Sequence, residues 1–97
     1  MRPSEALAQH REEVLAIIAR YPVSNPRIFG SVARGEDREG SDLDILVEPQ
    51  LDVTTFIHLI ELERELKELL NFHVDVVTPG GFSSRTVERV SRDVRPL

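Results

Sequence analysis

Along this chain the apolar residues keep switching between helical spacing and short continuous runs, and that alternation limits the fold more than any single residue does. In residues 4–20, Leu7, Val14, Ile17, Ile18 and Tyr21 fall on one stripe at helical spacing, with Pro3 at a position a helix start tolerates. Tyr21-Pro22 ends that helix, because the residue before a proline is pushed away from helical angles. Arg27–Phe29 reads as a short strand feeding Gly30-Ser31, where a short helix begins near Ser31 and stops at about Gly35. Glu36–Gly40 is a charged loop, and Leu43–Val47 a second strand closed by Glu48-Pro49. Residues 53–70 form an amphipathic helix whose stripe is Leu59, Leu62, Leu66, Leu69 and Leu70, flanked by a Glu63/Lys67 pair; Asn71 ends it. His73–Thr78 is a third strand, Pro79-Gly80-Gly81 a turn, and 84–94 a last helix with Val87, Val90 and Val94 inward. This order predicts an α/β (α+β) fold, a small mixed sheet of about three strands flanked by helices, in one domain over residues 1–97.

Charge and composition exclude several functions. Twelve Lys and Arg against 17 Asp and Glu leave a net charge of -5, whereas a duplex-binding domain needs a basic footprint to displace counterions. Arg85, Arg89, Arg92 and Arg95 do cluster late, and read as a solvated helix face. Direct nucleic-acid binding is therefore not expected. No apolar run approaches a membrane span, and Met1-Arg2-Pro3-Ser4-Glu5 lacks the apolar core of a signal peptide. With no cysteine there is no disulfide framework or thiolate metal site, which fits a reducing, cytoplasmic setting.

The informative window is Phe29-Gly30-Ser31-Val32-Ala33-Arg34-Gly35, followed after the charged loop by Ser41-Asp42-Leu43-Asp44. Ten residues separate Gly30-Ser31 from Asp42. Glycine lets backbone amides approach a phosphate, and the serine adds a donor where a helix starts. Strand side chains alternate between faces, so Asp42 and Asp44 should point the same way. Two carboxylates that close repel each other unless a cation sits between them, and magnesium takes one or two carboxylates with phosphate oxygens and water. Both turns fall at the same end of neighbouring strands, where an α/β sheet places its ligand.

Asp75 supplies a third carboxylate, inside the otherwise apolar strand that follows His73. A charge there needs a metal, a partner or water. Its expected role is third metal ligand and general base for an attacking hydroxyl, in an in-line displacement assisted by two metal ions. His10, His58 and His73 have no second histidine at metal-ligand spacing and read as packing or surface residues.

Gly30-Ser31, ten residues, Asp42-Leu43-Asp44 and a later strand aspartate, Asp75, together resemble the polymerase-beta-type nucleotidyltransferase superfamily. The details Gly30-Ser31-Val32-Ala33-Arg34-Gly35 and Ser41-Asp42-Leu43-Asp44 resemble its minimal nucleotidyltransferases, and the ending Arg92–Leu97 is similar too. The resemblance implies the polymerase-beta-like core and an ATP- and Mg2+-dependent transfer of AMP onto a protein. In pairs with a helical HEPN partner, it implies an antitoxin that modifies a tyrosine of an RNase toxin. Carried over by position, Gly30 and Ser31 would bind the triphosphate, and Asp42, Asp44 and Asp75 would hold metal. Arg34 could face phosphate or brace the loop by pairing with an acidic neighbour. Few residues follow the third strand, so the acceptor would be recognised through a partner or a second copy, with the first helix and the late arginine helix as candidate surfaces. The competing readings are an antitoxin that only binds its partner, and a nucleotidyltransferase acting on a small molecule or an RNA end.

Overall fold

The computed structural model describes residues 1–79 and 94–97. Helix α1 (Pro3–Gln9) and α2 (Arg11–Ile18) replace the single helix expected over 4–20. His10 is the joint, at φ -110° and ψ 20°, and its ring bonds Glu13 at 3.0 Å instead of joining an apolar stripe. The joint re-aims the chain, so that Ala6 and Leu7 from one helix and Val14 and Ile18 from the other are buried in the same core.

Strand β1 (Val23–Phe29) begins four residues earlier than the sequence suggests. Pro26 hid the extension, since proline cannot donate to a ladder and is confined to edges and bulges. The register indeed shifts between Ser24 and Arg27, with Asn25 at φ 50°. The one-turn helix α3 (Gly30–Arg34) stops where expected, at Gly35 in the left-handed conformation with φ 71°. Strand β2 is Leu43–Pro49. Helix α4 (Phe56–Leu70) starts later than residue 53 because Thr55 caps it, accepting from the His58 N–H while His58 Nδ1 accepts from the Thr55 N–H. Asn71, at φ 64°, closes α4 as expected. Strand β3 is Val74–Val77. The expected turn at 79–81 and helix at 84–94 lie almost wholly outside the described residues.

Among the described residues the sheet has four strands in the order β3-β2-β1-β4, where β4 is Arg95–Pro96. β1 runs antiparallel to β2 and β4, and β2 parallel to β3, with α4 as the crossover. The fourth strand was not legible in advance: it is two residues long and contains a proline. Arg95, expected on a solvated helix, is in that strand.

Alternation decides which side chains meet the helices. Leu43, Ile45 and Val47 of β2 and Val74 and Val76 of β3 point into the main core with Val14, Ile18, Leu62, Leu66 and Leu70. The intervening positions face the other side, where Phe29 and Leu46 are buried with Val77 and Val94 packed on them. That second face carries the acids. No described helix is long and apolar enough to cross a membrane.

Candidate active site

The register of three strands assembles the expected carboxylates. Phe29 of β1 pairs with Asp44 of β2, and Asp44 pairs with Asp75 of β3. Laterally paired residues share a face, so Asp44 and Asp75 stand side by side on the face away from the main core. Because β1 enters this row at its C-terminal end and β2 at its N-terminal end, the Gly30-Ser31 turn arrives at the same edge as the aspartates. Asp75 is on an outer strand of the described sheet with its side chain 43% exposed, so the face it takes is accessible to solvent.

Gly30 is fitted to this place in two ways. Its φ is 74°, a conformation that side chains disfavour, and a Cβ built on it would lie 2.5 Å from Asp44 Oδ2. The Asp44 carboxylate thus occupies the space that any other residue at 30 would fill. Ser31 is the second residue of α3, whose N-cap is Phe29. A helix of five residues has little macrodipole, so anion binding at this turn would rest on local N–H and hydroxyl donors.

Asp42 precedes β2 and is exposed, so strand alternation alone does not set its direction. The Leu43 N–H donates to the His73 carbonyl at 3.0 Å, which zips the start of β2 to the residues before β3. One donor atom each from Asp42, His73 and Asp75 lie within 4.8 Å of one another, a grouping able to hold a metal ion. Asp44 is not part of that trio; its carboxylate lies against Gly30.

His73 is the residue that sequence reading passed over. Its Nε2 lies 3.0 Å from Asp75 Oδ1, so it is a surface residue as expected, but one joined to the acid row. The available signal was its position two residues before Asp75, the spacing that puts side chains on one face of an extended chain.

Two further side chains hold the frame. Asp37, expected as part of a charged loop, is buried at 4% exposure and accepts the Ser4 backbone N–H at 2.8 Å. It satisfies an orphan donor in the first turn of α1 from across the fold, anchoring the loop that leads to Asp42. Burial pushes its pKa up, but the bonds from the Ser4 backbone and hydroxyl outweigh this and leave it below the ordinary value. Glu63 of α4 accepts the Val76 N–H at 3.1 Å on the edge strand and pairs with Lys67 at 3.1 Å, so the pair read from the sequence is present with an added role. Arg34 Nε lies 3.3 Å from Glu36 Oε2, in keeping with the loop-bracing alternative.

Residues 8–96 match the family described as nucleotidyltransferase domain. The protein adenylyltransferase MntA of Thermococcus cleftensis is 36% identical over 88 residues, covering 91% of this chain and 85% of that protein. A protein of Methanocaldococcus jannaschii assigned as a protein adenylyltransferase is 40% identical over 74 residues, covering 76% of this chain and 81% of its own. A solved structure assigned as a minimal nucleotidyltransferase superposes with a TM-score of 0.81 at 42% identity, covering 97% of this chain and 95% of that one. A toxin–antitoxin complex solved with AMP-PNP shares the fold, with a TM-score of 0.74 at 23% identity over 88% of this chain and 69% of that one.

Proposed function

This chain belongs to the nucleotidyltransferase domain family, and from that premise we propose that it transfers AMP from ATP to a tyrosine hydroxyl of a HEPN-type toxin partner, acting as the partner's antitoxin. The observation that carries the reading is the lateral row of Asp44 and Asp75, with Asp42 beside it and Gly30 against Asp44. The relatives named as protein adenylyltransferases support a protein acceptor.

Three carboxylates gathered at one sheet edge are a donor set that suits magnesium, and in this reading Asp42, Asp44 and Asp75 hold it. Bound there with ATP, the ion supplies charge neutralisation at the triphosphate. Gly30, with no Cβ, brings its backbone close to the triphosphate, and the Ser31 hydroxyl donates to a phosphate oxygen. The acceptor oxygen attacks the α-phosphorus, a new P–O bond forms, and the bond to the bridging oxygen of the β-phosphate breaks to release pyrophosphate. Asp75 accepts the hydroxyl proton in this scheme. Positioning and fixed charge supply most of the rate.

The test is to incubate the protein with its neighbour-encoded partner, ATP and magnesium, and to measure the partner's intact mass and the modified peptide. A single or repeated AMP increment on a partner tyrosine is expected, lost with Asp42→Asn and with Asp44→Asn. Variants that neutralise the partner as well as wild type without leaving an adduct would replace this reading with one of binding alone.

A further inference from the structure

The donor set at the acid row is not made of oxygen alone. His73 stands immediately before β3, and its carbonyl accepts the Leu43 N–H, which fixes it beside the start of β2 and therefore beside Asp42. Its imidazole lies at hydrogen-bond distance from Asp75 and shares a 4.8 Å cluster with Asp42 and Asp75. The imidazole is half-exposed, so an ion can reach it without displacing the core.

Two carboxylates with one imidazole are a different donor set from carboxylates alone. Magnesium selects oxygen and gives up its water reluctantly, whereas Mn2+ accepts an imidazole nitrogen more readily than Mg2+ does, though less avidly than the later first-row divalent metals. We propose that His73 is a direct metal ligand with Asp42 and Asp75, and that it biases this site toward Mn2+ over Mg2+. The proposal rests on the reading of the acid row as a nucleotidyltransferase metal site, and adds which ion the row prefers and which side chain sets that preference. Coordination by both groups would exchange the His73–Asp75 hydrogen bond for bonds to the ion.

The probe is Mn2+ alone, added to an excess of the full chain without nucleotide and followed by electron paramagnetic resonance. Wild-type protein should bind Mn2+ and show electron-spin-echo modulation from a directly coordinated imidazole 14N. Incorporating 15N-histidine should convert that modulation to the 15N pattern with no substitution at all. His73→Gln should abolish it and weaken Mn2+ binding about tenfold or more, while His10→Gln and His58→Gln leave it intact. Mg2+ affinity, read by competition, should change less than Mn2+ affinity in His73→Gln. Mn2+ bound without nitrogen modulation, in protein that still transfers AMP, would overturn the His73 assignment and leave the proposed function standing. Protein that neither binds Mn2+ nor transfers AMP in the presence of Mg2+ and ATP would overturn both.

Discussion

Gly30 is where the backbone and the chemistry make the same demand. Its positive φ and the nearness of Asp44 Oδ2 mean that a methyl group would be strained in itself and would displace the carboxylate. Gly30→Ala should lower stability by about 1–2 kcal/mol, the ordinary penalty for a side chain in the left-handed region. The same change should reduce AMP transfer on the order of 100-fold, because a displacement of about 1 Å at a reacting group is enough for that. Urea denaturation and a single-turnover transfer assay check the two halves separately. Tyr21 gives a second residue-scale prediction, since it is the single tyrosine of the chain. Burial raises its pKa to about 12, helped by its hydroxyl donating to Glu65 and by the charge of that carboxylate. A phenolate absorbance titration should therefore have its midpoint near 12, and Glu65→Gln should move it back toward the ordinary value of 10. The folded pKa is the raised one, so the contribution of this contact to stability is full below pH 10 and disappears as pH climbs through 12.

At the level of elements, Asp37 ties the loop before β2 to the first turn of α1, and Met1 adds an exposed ion pair to Glu39 at 3.0 Å. The pKa of Asp37 is depressed, so its stabilisation is present above about pH 4 and is lost as pH falls through the folded value. Asp37→Asn should lower stability by about 1.5 kcal/mol at pH 7, the scale of a hydrogen bond to a charged group. Urea midpoints of the two proteins should draw together as pH falls below about 4. The sequence could show that 36–40 was a charged loop; it could not show that one of those charges turns inward, because Ser4, its partner, lies 33 residues away. Elements with strong local patterns were legible: the leucine stripe of α4, the Gly35 stop of α3 and the β2 run all stand where spacing put them. Those set by distant contacts were not. The His10 joint depends on how two short helices share a core, and the early start of β1 depends on a bulge at Pro26. Among the site residues, Gly30, Asp44 and Asp75 could be placed from alternation and turn chemistry; the spacing of His73 from Asp75 was legible too, but its nearness to Asp42 shows only once β2 and β3 are seen to run parallel in register.

Across the whole molecule, the last residues close the fold. Leu97 is 8% exposed and packs in the main core, its N–H donates to the Pro26 carbonyl at 3.1 Å, and its own carbonyl accepts from Arg11. Leu97→Ala should cost about 2–3 kcal/mol, the lower end for a buried leucine. Phe56, by contrast, is 80% exposed, and Leu51, Ile57 and Ile60 near it are exposed as well. Phe56→Ser should change stability by less than about 0.5 kcal/mol, and thermal denaturation of both variants checks the contrast. These apolar residues are on the β2–α4 connection and the start of α4. The two faces of the sheet carry separate responsibilities: Leu43, Ile45, Val47, Val74 and Val76 belong to the core side, and Asp44 and Asp75 to the other. Inheritance acts on those faces independently. A lineage that loses Asp44 or Asp75 still carries the opposite-face side chains that make its main core, so a duplicated copy can shed its chemistry in one step with that core in place.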